Sequence, residues 1–256
     1  MKRILAITLA AIFGIEASAQ INFPPTEHYL IRQSDIDRAE ALLDTPLKKA
    51  VKYPNPSKGA RWFPDASLGL FMHWGIHSML GAQPSWAMIN HYRYNGGYKS
   101  KELYYGQALG FNPEFPADKY LTAAREAGFN YAVLTTRHHD GYCLWDSDLT
   151  DYTSMKQAPG RDFVREYADA FRAEGLRVGL YYSWLDWRVP AYFDGPEKNP
   201  EGFKAMKAYI HGQIEELLTR YGQIDHFFFD GSWPRTYEEL GCAELVAQMR
   251  RWQPGI

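Results

Sequence analysis

A chain of 256 residues that is 46% hydrophobic and 16% aromatic carries enough apolar surface for one globular domain, which excludes a disordered polymer. Its formal net charge of -2, with Lys and Arg scattered rather than gathered into a stripe, excludes nucleic acid as a partner. Two cysteines, Cys143 and Cys242, are too few for a disulfide framework and make no metal-binding pair, so they read as buried structural thiols.

At the N-terminus, Lys2 and Arg3 precede an apolar run from Ile4 to Ile15 and then Ala17-Ser18-Ala19. This is the pattern of a secretory signal peptide cleaved after Ala19, and it predicts export to the periplasm or the extracellular space. No later stretch approaches the ~20 apolar residues of a transmembrane span. Residues 20–66 are rich in Pro and charge and read as a lead-in with one short helix near residues 34–43.

From residue 67 the pattern becomes regular. Short apolar runs at Leu68–Trp74, Tyr131–Thr135, Arg177–Tyr182 and Asp225–Phe229 read as buried strands. Between them, Phe163, Val164, Tyr167, Ala168 and Phe171 share one helical face, as do Phe203, Met206, Ile210, Ile214, Leu217 and Tyr221. Gly128, Gly175 and Gly222 each stop a helix just before a strand, as left-handed caps do. The intervals leave room for a crossover helix, so the strands are expected to be parallel. The pattern predicts an α/β fold, a (β/α)₈ barrel over residues 67–256 with only about its first half present. The rival, a doubly wound open sheet, lacks the Gly-x-Gly-x-x-Gly that a dinucleotide site needs. A helix through Glu244, Leu245, Val246 and Met249 leads toward a fifth strand at the end of the sequence.

In a barrel the site lies at the C-terminal ends of the strands. Here those ends are polar: Met72-His73-Trp74-Gly75, Arg137-His138-His139-Asp140-Gly141, Tyr181-Tyr182-Ser183 and Phe228-Phe229-Asp230-Gly231. Asp230 is delivered by an apolar strand, and Gly231 is expected to leave its approach open, as a nucleophile requires. An Asp in that position equally suits a helix or turn cap. His73, His138 and His139 have the donors and acceptors to hold sugar hydroxyls, although strand alternation implies that His138 and His139 need not face the same way. Trp86 and Trp145 suit either sugar stacking or packing, and packing is the commoner use. His73, His138, His139 and Asp230 are also potential zinc ligands; adjacent His-His is a poorer pair for one metal than His-x-His, which makes this the weaker alternative.

The chain resembles glycoside hydrolase family 29, the α-L-fucosidases. The matching stretches are Gly69-Leu70-Phe71-Met72-His73-Trp74-Gly75, Thr135-Thr136-Arg137-His138-His139-Asp140-Gly141-Tyr142, Leu144-Trp145-Asp146-Ser147, Pro159-Gly160-Arg161-Asp162, Gly179-Leu180-Tyr181-Tyr182-Ser183 and Phe229-Asp230-Gly231. They run in order from about residue 60. The resemblance implies a (β/α)₈ catalytic domain that releases terminal α-L-fucose from a fucosylated oligosaccharide or glycoconjugate by double displacement, with no metal or organic cofactor. Asp230 matches the nucleophile; His73, His138, His139 and Tyr181 match residues that contact sugar hydroxyls, and Trp86 matches an aromatic at the pocket rim. Asp140, Asp146, Arg161 and Asp162 read as structural. The family's acid/base, a Glu from the second half of the barrel, is expected beyond Ile256, and Glu238, Glu239 and Glu244 read as a solvated helix face.

Two residues depart from the family pattern. Many members have Glu where this chain has Ser85, and Trp where it has Phe228; both positions are expected to line the sugar. The alternative is a non-catalytic carbohydrate-binding remnant of such an enzyme.

Overall fold

A computed structural model describes residues 58–88 and 100–256. The expected signal peptide and the short helix near residues 34–43 lie outside the described residues. The sheet has four parallel strands, β1 (Gly69–Met72), β2 (Tyr131–Arg137), β3 (Arg177–Ser183) and β4 (His226–Asp230), in the spatial order β1-β2-β3-β4. Each connection crosses over through helix. The segment between β1 and β2 holds α1 (Lys101–Gly110) and α2 (Ala117–Ala127), and α3 (Phe163–Ala173) joins β2 to β3. Then α4 (Pro190–Lys198) and α5 (Pro200–Arg220) join β3 to β4, and α6 (Tyr237–Leu240) and α7 (Cys242–Trp252) follow β4.

The expected helical faces are the ones that pack. Phe163, Val164, Tyr167, Ala168 and Phe171 of α3 are fully buried, and Phe203, Met206, Ile210, Ile214 and Leu217 of α5 join the same core. Asp162 caps α3 by accepting from the backbone of Arg165 at 2.9 Å, and Gly128, Gly175 and Gly222 take left-handed φ of 71°, 78° and 73° where their helices end. Across the sheet, Ala132, Leu134, Val178, Leu180 and Tyr182 point into the helix-covered core. The alternate residues turn the other way, where Phe71, Tyr181 and Phe228 form an aromatic cluster with Phe71–Phe228 at 5.2 Å and Tyr181–Phe228 stacked at 5.7 Å.

Two strands end more than one residue from the expected place. β1 stops at Met72, because the backbone N–H of Trp74 leaves the ladder and donates to the Thr135 hydroxyl at 3.1 Å. β2 runs on to Arg137 through a bulge, its register slipping from Thr135 opposite Tyr181 to Arg137 opposite Tyr182. Cys143 and Cys242 are buried free thiols, and Trp145 packs in the core with its indole N–H on Glu216 at 2.9 Å. Among the described residues no helix is long and apolar enough to cross a membrane.

Candidate active site

The C-terminal ends of all four strands converge on Asp230. Tyr181, from β3, donates its hydroxyl proton to Asp230 Oδ2 at 2.6 Å, and the Gly231 N–H donates to Oδ1 at 2.7 Å. His139 brings Nε2 to 3.9 Å from Oδ2. The carboxylate is thus fixed through both oxygens, yet its side chain remains 36% exposed on the open side. Burial and the Asp230 charge both push the Tyr181 phenol upward, so it stays a proton donor throughout the working pH range.

His138 and His139 lie side by side, ring centroids 4.0 Å apart, and both face this centre. Strand alternation by itself had left open whether both would face it. The bulge at Thr136 resets the face of β2: Arg137 falls toward the helices, 4.4 Å over the Tyr182 ring, and the chain then leaves the ladder before His138. Alternation no longer governs residues beyond the last ladder pair. His138 stacks on Tyr181 at 5.6 Å, while His73 from the end of β1 stands 5.7 Å from His138 and 5.3 Å from Tyr181. Desolvation is the main force lowering all three histidines, and it brings His139 down to about 4. They are neutral at pH 7.

Trp86 closes one side, edge-on to His139 at 5.4 Å and stacked with Trp233 at 6.0 Å. Phe228 lies against Tyr181 on the open face of the sheet and is 39% exposed. The structure therefore gathers His73, Trp86, His138, His139, Tyr181, Phe228 and Asp230 around one point.

Two expectations need correction. Ser85 does not line an open pocket: it is 0% exposed, at φ 56°, behind His138 with its hydroxyl on His138 Nδ1 at 2.7 Å. Gly231 is buried too, and its missing side chain serves close packing. A Cβ there would lie 2.9 Å from His139 Cε1 and 3.0 Å from the Ser183 hydroxyl.

Beneath the histidines sits a buried charge network that no local pattern announced. Arg137 donates to the Ser183 carbonyl at 2.6 Å and to Gln213 of α5 at 3.1 Å. Arg188 binds Asp186 at 2.9 Å and the Gly141 carbonyl at 3.1 Å, and the Trp187 N–H donates to the His139 carbonyl at 2.8 Å. Burial raises the Asp186 carboxyl, but Arg188 and Arg137 beside it outweigh that and hold it below the usual carboxylate range. Of the residues read as structural, Asp162 caps α3 and accepts from the Tyr221 hydroxyl at 2.7 Å, and Arg161 holds Glu166 through two bonds of 2.8 and 2.6 Å. Glu239 belongs less to a solvated face than expected, since it accepts from the Thr236 N–H at 2.7 Å in a capping box.

Donor atoms of His138, His139 and Asp230 lie within 4.8 Å of one another. The ligands of a tetrahedral zinc, at ~2.0–2.2 Å from the metal, stand roughly 3.3–3.6 Å apart, so the set would have to contract to hold one. A ring of neutral imidazoles, a phenol and an anchored carboxylate between aromatic walls suits a neutral, hydroxyl-rich ligand with a carbon that Asp230 can attack.

The profile described as Alpha-L-fucosidase matches residues 37–255. A tissue alpha-L-fucosidase from Bos taurus is 34% identical over 197 residues, 69% of this chain and 40% of that protein. A putative alpha-L-fucosidase from Caenorhabditis elegans is 28% identical over 207 residues, 75% of this chain and 42% of that protein. Among solved structures, alpha-L-fucosidase isoenzyme 1 from Paenibacillus thiaminolyticus superposes with a TM-score of 0.66 at 41% identity, covering 78% of this chain and 49% of that one. A family 29 alpha-L-fucosidase from Bacteroides thetaiotaomicron gives 0.67 at 27% identity, covering 83% and 50%. The chain spans half or less of the length of each.

Proposed function

This chain belongs to the α-L-fucosidase family, glycoside hydrolase family 29, and from that premise we propose that it forms the nucleophile-bearing part of an exo-acting retaining α-L-fucosidase. The observation that carries this reading is Asp230, a strand-end carboxylate fixed through both oxygens, open on one side, and surrounded by neutral hydroxyl-binding groups.

In the first displacement a carboxylate oxygen of Asp230 attacks the anomeric carbon of a terminal α-L-fucosyl unit. The glycosidic C–O bond breaks, and the leaving oxygen takes a proton from a second carboxyl. Water, deprotonated by that same second group, then cleaves the glycosyl ester and restores Asp230. A retaining pair stands about 5–5.5 Å apart. Asp140 and Asp186, the other buried carboxylates nearby, are engaged in internal hydrogen bonds. The resemblance to the family implies that the acid/base is instead a Glu from the second half of the barrel. The parallel β1-β2-β3-β4 order, with no reversal, is that of a barrel wall, which supports a (β/α)₈ catalytic domain. Fucosylated oligosaccharides or glycoconjugates are the substrates.

The test is covalent trapping on the active enzyme. A 2-fluoro-fucosyl donor with a good leaving group should add one fluorofucosyl mass to the peptide containing Asp230. Asp230→Ala should abolish both labelling and turnover, a loss beyond the ~10²–10⁴-fold that a general acid or base contributes. Label on another residue, or full activity in Asp230→Ala, overturns the assignment. For residues 1–19 we propose export and cleavage after Ala19, to be checked by the mass of the mature protein.

A further inference from the structure

The two adjacent histidines each rest their inward ring nitrogen on a serine hydroxyl, and counting protons settles which form each ring takes. Ser183 Oγ stands 2.6 Å from His139 Nδ1 and gives its only proton to the Leu185 carbonyl at 2.7 Å. His139 must therefore be the donor at Nδ1. Ser85 Oγ stands 2.7 Å from His138 Nδ1 and 3.1 Å from Asp140 Oδ2, and it receives the Asp140 backbone N–H at 2.9 Å. Both Asp140 oxygens act as acceptors, Oδ1 from the Tyr142 N–H at 2.9 Å and Oδ2 from the Tyr104 hydroxyl at 2.9 Å. The Ser85 proton thus goes to Asp140, and His138 too donates through Nδ1. Each serine oxygen then has its donor used, and Ser85 has both acceptor positions filled.

We propose that Ser85 and Ser183 are positioning residues that lock His138 and His139 in the Nδ1–H form, so that the rings turn two bare Nε2 acceptors toward the substrate. This wall of the pocket then reads hydroxyl hydrogens and rejects groups that cannot donate. The inference deepens the sugar-hydrolase reading of the site and rests on it for the identity of the ligand alone. Burial supports it from another side, since both rings are held neutral at pH 7. Ser85 takes a left-handed φ of 56° to reach this place, and Tyr104 secures it by accepting its backbone N–H at 2.6 Å.

Ring tautomers are measured directly by multiple-bond ¹H–¹⁵N correlation spectra of the ¹⁵N-labelled chain at pH 7, with the rings assigned from His138→Gln and His139→Gln. The wild-type protein should show Nδ1–H and unprotonated Nε2 for both. Ser85→Ala should shift only His138 toward a mixture, and Ser183→Ala only His139. An Nε2–H pattern for either ring in the wild type overturns the proposal, even where the variants fail to fold. So does a Ser85→Ala spectrum with His138 unchanged. With 4-nitrophenyl α-L-fucoside on the active enzyme, Ser85→Ala should raise KM roughly tenfold, about one lost hydrogen bond, with kcat changed less; an unchanged KM counts against the proposal. Correct tautomers without hydrolysis would leave this inference standing and remove the fucosidase reading, and hydrolysis with the wrong tautomers would do the reverse.

Discussion

Asp230 is held by two donors of different kinds, the phenol of Tyr181 and the backbone N–H of Gly231. The backbone donor cannot be mutated away, so Tyr181 is the adjustable half of the grip. Tyr181→Phe keeps the ring that stacks on His138 and Phe228 and deletes only the hydroxyl. A charge-assisted hydrogen bond contributes about 1.5–3 kcal/mol, so kcat/KM on an aryl fucoside should fall roughly 10–100-fold while the melting temperature barely moves. A large stability loss with unchanged catalysis would instead make Tyr181 a packing residue. The residue types of the site were legible one by one in the sequence, because polar side chains at the ends of apolar strands stand out against their surroundings. Ser85 was not legible, for a physical reason: its role is set by Tyr104, His138 and Asp140, groups far away along the chain.

At the scale of elements, α3 is tied to the sheet by a single buried hydroxyl as well as by its apolar face. Tyr167 donates toward two carbonyls, Ala132 of β2 at 2.7 Å and Gly179 of β3 at 3.0 Å, and so bridges the two strands that present His138, His139 and Tyr181. Tyr167→Phe leaves the ring in the core and deprives buried acceptors of their donor, which should cost about 1–3 kcal/mol in urea unfolding. A neutral result would mean that water replaces the hydroxyl. The helices and strands themselves were readable from period and caps, since burial against one face imposes 3.6- and 2-residue repeats wherever the element is regular. The bulge at Thr136 was not readable, because it arises from pairing with β3 and leaves no composition of its own.

For the molecule as a whole, burying neutral histidines links stability to pH. His139 titrates near 6.5 when unfolded and about 4 when folded, lowered first by desolvation, with Asp230 opposing and Arg137 and His73 adding to the shift. Between those values the unfolded chain binds more protons, so stability is complete above pH 6.5 and is lost as pH falls toward 4. His139 alone contributes on the order of 3 kcal/mol to that loss. His77, also lowered to about 4 by burial, steepens it. Unfolding free energy measured from pH 7 to 4.5 should decline, and His139→Gln should flatten the decline even if it lowers the starting value. An unaltered slope would show that His139 is charged or solvated in the folded state. The sequence by itself determined the parallel β/α order, the helical faces, the strand-end residues and the family, because these follow from local periodicity and from motifs in linear order. Only the tertiary structure decided that His138 and His139 face one point, that Ser85 sits behind them, and that Arg137, Asp186 and Arg188 form the charged floor. Those features depend on a shift of strand register and on hydrogen bonds between distant segments, and neither exists until the chain has folded.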